Sequence, residues 1–193
     1  MAPKKATPAY SFPDPMDNDS LVGHCDVLES FMNAWAARDT HPIHPVWMLT
    51  GPKGIGKATL AYKIAKIVYG NVGDFFIIDQ ARNIDKDGKN KSDGKVISVY
   101  TVRAMIDRMR MSSMSGEWRV VLIDSVDELN TAASNAILKL LEEPPAKTLF
   151  LLVTHQLANV LPTVRSRARV EKMRPLTISQ LRELCVKFIP DAD

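Results

Sequence analysis

The chain has 193 residues, of which 46% are hydrophobic and 24% charged; 25 basic and 22 acidic side chains leave a formal net charge of +3. That length and apolar content support one domain plus a fragment, and the ordinary charged fraction excludes disorder as the dominant state. The near balance of charge does not announce a nucleic-acid binder, although a local basic patch is compatible with it. Cys25 and Cys185 are the only cysteines. Two thiols make neither a disulfide scaffold nor a four-cysteine zinc site, so a reducing cytoplasm is the expected compartment. No run approaches the ~18 consecutive apolar residues of a membrane span, and no membrane partner is expected.

Residues 1–19 hold four prolines among polar and small residues and lack an apolar h-region. They read as a flexible leader rather than a secretory signal, with Lys4 and Lys5 serving solubility. From 21 to 38, Leu21, Val22, Val27, Leu28, Phe31, Met32 and Trp35 recur at helical spacing, which predicts an amphipathic helix closed by two His-Pro breaks. Val46 to Leu49 is an apolar run too short for a helix and predicts a buried strand. A glycine-rich turn over 51–56 and a helix over 57–69 follow, then a strand over 75–78. The polar segment 85–95, DKDGKNKSDGK, reads as a solvated loop or hairpin tip. A short strand is expected over 96–99 and a helix over 101–111, its methionines serving as packing.

A continuous apolar strand over 119–123 ends on Asp124. The helix over 131–143 carries Ala132, Ala136, Ile137, Leu140 and Leu141 on one side and stops at Pro144-Pro145. A strand over 149–153, a polar connection over 162–169, a last strand over 170–173 and a helix over 177–188 complete the order. Strands without alternation are buried on both faces. Alternating with helices, they predict an α/β fold, a parallel sheet flanked by helices.

The sharpest local signal is Gly51-Pro52-Lys53-Gly54-Ile55-Gly56-Lys57-Ala58-Thr59, close to the P-loop pattern G-x-x-x-x-G-K-[ST] and placed between a strand and a helix. Glycines let backbone N–H groups turn around phosphate oxygens, the helix N-terminus adds a positive dipole end, and Lys57 would reach the β- and γ-phosphates of ATP. Ala58 stands where a hydroxyl would hold Mg²⁺. Thr59 is one residue further on, about 100° around the helix. The loop therefore fits either a nucleotide site with an impaired metal or a structural relic. Asp124 takes the place of the carboxylate that orients the metal in such folds. Ser125 follows it and has no basicity near neutral pH. Asp127 and Glu128 read as helix N-terminal charge and capping. Arg165, Arg167 and Arg169 stand on a connection from which a guanidinium could reach a neighbour's γ-phosphate.

GPKGIGKATLAY, SNAILKLLEEPP and FLLVTHQLANVLPTVRSRAR together resemble the delta-prime family of bacterial DNA polymerase III clamp-loader subunits, of the AAA+ class, from about Leu21 onward. LLEEPP with TVRSR is more specific than the P-loop alone. The family's Ser-Arg-Cys reads Ser166-Arg167-Ala168 here, so the arginine survives. The resemblance implies a stator that lends Arg167 in trans to the ATP site of a gamma/tau neighbour, with Arg165 and Arg169 as weaker interface candidates. It also implies contact with delta, and with the sliding clamp and primed DNA through the complex, with no efficient ATPase or polymerase activity of its own. The resembled nucleotide set is Gly51, Gly54, Gly56, Lys57, Thr59 and Asp124. Gamma/tau carries a hydroxyl at the Ala58 position, an acidic pair at Asp124-Ser125 and a four-cysteine zinc module. The stretch from Thr59 to Asp124 holds no cysteine, so no zinc is expected. A gamma/tau-like ATPase and another AAA+ replication factor such as a helicase loader stay open as alternatives. By the same resemblance, 20–173 is the AAA+ core and 174–193 the first helix of an incomplete lid. Val186, Phe188 and Ile189 are then exposed, and the chain is expected to be a monomer.

Overall fold

The computed structural model describes residues 13–18, 20–70, 73–91, 96–111 and 117–189. Most of the leader, with Lys4 and Lys5, lies outside the described residues, as do 92–95 of the polar segment and 190–193. The helices are α1 (Cys25–Ala36), α2 (Lys57–Tyr69), α3 (Val99–Met111), α4 (Thr131–Glu142), α5 (Pro162–Arg165) and α6 (Ile178–Phe188). The strands are β1 (Val46–Thr50), β2 (Asp74–Ile78), β3 (Arg119–Ile123), β4 (Thr148–Thr154) and β5 (Arg169–Lys172). They form one parallel sheet in the order β2-β3-β4-β1-β5, as the unalternating apolar runs predict.

Both faces of the sheet are buried. Val46, Met48, Val121, Ile123, Phe150 and Leu152 pack against Val102, Met105, Ile137, Leu141 and Val164 of α3, α4 and α5. Their neighbours Trp47, Leu49, Val120, Leu122, Leu149 and Leu151 pack against Val27, Phe31, Leu60 and Ile64 of α1 and α2. Each such side chain contributes about 1.5–3 kcal/mol. An exposed pair such as Arg110–Asp107 at 3.7 Å contributes about 1 kcal/mol at most, so packing rather than surface charge holds the sheet. At its β5 edge, Arg169 stacks on Trp47 at 4.2 Å, pairs with Glu171 at 2.8 Å and donates to Ser30 Oγ at 2.7 Å, tying β5 to α1.

Several boundaries differ from the expectations for physical reasons. The first helix begins at Cys25, because Gly23 and His24 take left-handed φ values of 76° and 56°; Leu21 and Val22 turn to a cleft instead. The strand expected over 96–99 is a single parallel bridge between Ile97 and Leu129. Ser98 Oγ accepts from Thr101 N at 3.4 Å, and α3 starts two residues before its apolar stripe suggests. The polar connection contains the short helix α5, with Pro162 in its first turn and Val164 buried beneath it. Val186 is 68% exposed as expected. Phe188 and Ile189 are half-buried rather than exposed, and Phe188 lines the cleft.

The segment between β2 and α3 is organised by Asn83, which is fully buried. Its amide donates to the Val96 carbonyl at 2.9 Å, while its Oδ1 accepts from Ser98 N at 2.9 Å and Thr101 Oγ1 at 2.8 Å. Asn83→Ala leaves these groups without their partner and is expected to destabilise the fold by about 1–3 kcal/mol, read from the urea midpoint. Tyr62 of α2 is 6% exposed and meets Phe75 edge-on at 5.9 Å. Burial pushes its hydroxyl up to about 12 from the ordinary 10.0, with Arg82 opposing. The unfolded chain therefore releases a proton that the folded chain keeps between those two values. The stability present below pH 10.0 falls as pH rises toward about 12. Tyr62→Phe should flatten that decline in urea midpoints taken at about pH 9 and about pH 11.

Candidate functional site

The C-terminal end of β1 runs into the glycine-rich loop, and α2 opens directly from it. Gly51 is required by crowding: a Cβ there would meet the Met173 carbonyl at 2.5 Å and Ile55 Cδ1 at 2.8 Å. Gly56, with φ of 96°, makes the turn into the helix. Lys57 is only 3% exposed. Its Nζ donates to the carbonyls of Gly51 at 2.7 Å and Pro52 at 2.6 Å, which holds the ammonium inside the loop with one N–H direction to spare. Burial lowers its pKa, and the carboxylates of Asp124 and Asp127 work against that shift. His24 Nε2 donates to the Ile55 carbonyl at 2.7 Å and pins the loop to the start of α1.

The tips of β3 and β4 reach the same edge. Asp124 follows β3, and burial raises its carboxyl pKa, with His155 pulling it down. Ser125 is buried at a left-handed φ of 68°, and its Oγ lies 3.4 Å from His155 Nε2. His155 Nδ1 is buried without a hydrogen-bond partner among the described residues. Burial lowers the His155 pKa, and Lys57 adds to the effect. Asp127 and Glu128 lie in the 3-10 turn Val126–Glu128 but do not cap α4. That role belongs to Asn130, whose Oδ1 accepts from Ala133 N at 2.7 Å. Asp127 instead accepts from the backbone N–H groups of His155 at 3.2 Å and Gln156 at 3.1 Å. Glu128 accepts from Gln80 Nε2 at 2.7 Å, and burial raises its pKa. His155 is the site residue that the sequence reading missed. Its signal was the polar Thr154-His155 pair ending an apolar strand.

These groups line a cleft of about 750 Å³, within the range of small-molecule sites. Gly54, Gly56, Lys57, Ala58, Thr59, Asp124, Ser125 and His155 form its polar end. Leu21, Val22, Leu176, Leu181, Leu184 and Phe188 contribute apolar lining. Gly51 does not line the cleft; its carbonyl accepts from Lys57 Nζ. A phosphate fits the loop and its buried ammonium, and a base and sugar fit the apolar lining. Mg²⁺ fits less well: Ala58 lines the cleft at the position where a hydroxyl normally holds the metal, leaving the Asp124 carboxylate nearby.

The three arginines have separate fates, and none lines the cleft. Arg169 is spent on Trp47, Glu171 and Ser30. Arg165 is half-buried at the end of α5. Arg167 is partly exposed and pairs with Glu142 at the end of α4 at 2.6 Å. It also donates to the Thr163 carbonyl at 2.8 Å.

Comparison with known proteins accords with this arrangement. The family model described as DNA polymerase III, delta subunit, matches residues 26–177. A DNA polymerase III subunit delta' of Yersinia pestis is 41% identical over 51% of this chain and 26% of its own length. The subunit delta' of Pseudomonas aeruginosa is 30% identical over 67% of this chain and 43% of its own. A DNA polymerase III subunit gamma of Buchnera aphidicola is 27% identical over 84% of this chain and 46% of its own, so the chain spans less than half the length of these relatives. Among solved structures, a gamma subunit-related protein of Thermotoga maritima matches with a TM-score of 0.61 at 19% identity, over 83% of this chain and 50% of that one. Thermotoga maritima RuvB, the Holliday junction branch migration motor, matches with a TM-score of 0.61 at 20% identity, over 89% and 53%. The fold is thus the AAA+ type of P-loop NTPase. With the glycine loop, LLEEPP and TVRSR segments placed around that sheet, the chain belongs to the family described as DNA polymerase III, delta subunit, a family of clamp-loader subunits.

Proposed function

We propose that the chain acts as a delta-prime-like subunit of a bacterial replicative clamp loader, in the cytoplasm, supporting ATP-dependent loading of a sliding clamp on primed DNA. It serves as a stator beside gamma/tau and delta, and its arginine works in trans. The observation that carries this reading is the tip of β3, where Ser125 follows Asp124. A hydroxyl contacting His155 stands where a hydrolytic site needs a carboxylate to polarise water. Ala58 adds a second, independent defect in the same reaction. The cleft then holds nucleotide without turning it over, through Lys57 with Gly54, Gly56, Thr59 and Asp124.

Arg167 supplies what the subunit contributes to chemistry elsewhere. Its guanidinium carries five N–H donors in a planar fork suited to phosphate oxygens. Its partly exposed pair with Glu142 is worth about 1 kcal/mol or less, weak enough for a neighbour's γ-phosphate to displace. Arg169, stacked on Trp47, serves the fold instead. In a complex assembled from this chain with gamma/tau and delta, Arg167→Ala is expected to lower turnover at the neighbouring site by on the order of 10³-fold. Clamp loading should fall with it while assembly persists. Normal clamp loading by that variant complex would overturn the assignment.

A further inference from the structure

We propose that the cleft binds a nucleoside diphosphate without a divalent cation, so that its nucleotide affinity is indifferent to Mg²⁺. The inference rests on the reading of the glycine loop and Lys57 as a phosphate cradle, and it specifies what that cradle accepts. The side chain one residue past a P-loop lysine normally brings a hydroxyl to the metal. Here Ala58 lines the cleft with a methyl group. Thr59 also lines the cleft, but about 100° further around α2 than the position that the metal's hydroxyl normally takes.

Without a metal, positive charge must come from the protein. Lys57 is fixed by two carbonyls at 2.7 and 2.6 Å and offers one remaining N–H. Lys53 stands on the exposed rim of the same loop. Two ammonium groups match a diphosphate better than a triphosphate. Asp79, Asp124 and Glu128 line the same polar end, so a third phosphate brings its added charge toward carboxylates that no metal screens. Binding energy that needs no metal would come from apolar side chains lining the same cleft, Leu21, Val22, Leu176, Leu181, Leu184 and Phe188, against a base and sugar.

Calorimetric titration of the full chain with ADP and ATP, each in EDTA and in Mg²⁺, tests this. The expected result is an ADP Kd that agrees within about threefold between the two conditions, with ATP weaker than ADP by about fivefold or more in EDTA. Ala58→Thr restores the hydroxyl and should make ATP bind about tenfold tighter in Mg²⁺ than in EDTA. Wild-type binding that tightens about tenfold or more with Mg²⁺ would overturn the inference and leave the cradle standing. Loss of that dependence in Thr59→Ala would then name Thr59 as the metal's hydroxyl. Absence of binding under every condition, in the wild type as in Lys57→Ala, would overturn the cradle reading itself.

Discussion

The position of β4 between β1 and β3 is the constraint on which the site depends. In a parallel sheet all C-terminal strand ends lie along one edge, and ligand crevices form outside them. Because β4 separates the glycine-loop strand from the Asp124 strand, its own tip, Thr154-His155, comes to rest between them. The register Thr50 against Thr154 and Ile123 against Leu152 sets those tips side by side. Burial of both sheet faces fixes this register, since a one-residue slip would exchange the α1/α2 and α3/α4 faces of every strand.

On the proposed function, that frame serves as a cradle rather than as a hydrolytic site. The loop, the buried ammonium of Lys57 and the apolar lining are the groups that would hold a phosphate-bearing ligand. The groups that would turn binding into hydrolysis are replaced by a methyl at Ala58 and a hydroxyl at Ser125. The neighbouring acids are already engaged. Asp127 secures the backbone after β4 and Glu128 holds Gln80. Arg167, by contrast, stands away from the cleft, paired with Glu142 and the Thr163 carbonyl.

The sequence revealed the strands as continuous apolar runs, the glycine loop as a motif and Asp124 as the end of its strand, because each is a local property. The helix caps were less legible. Ser98 starts α3 through its side chain, and His24 enters α1 in a left-handed conformation, neither of which apolar periodicity encodes. His155 carried only the weak signal of a polar strand end, for a different reason. Its role follows from strand order, which places it beside Ser125, and spacing along the chain says nothing about that neighbour. Arg169 shows the same limit. As one of three arginines on a connection it resembled a candidate finger, and only the sheet edge brings it onto Trp47 and Ser30.

We propose that this chain cradles nucleotide without hydrolysing it. A single-turnover experiment tests it most directly, with the purified chain in excess over radiolabelled ATP and Mg²⁺. The account predicts no phosphate release above the rate shown by Lys57→Ala. Release that exceeds that rate in the wild type and disappears in Lys57→Ala would contradict it.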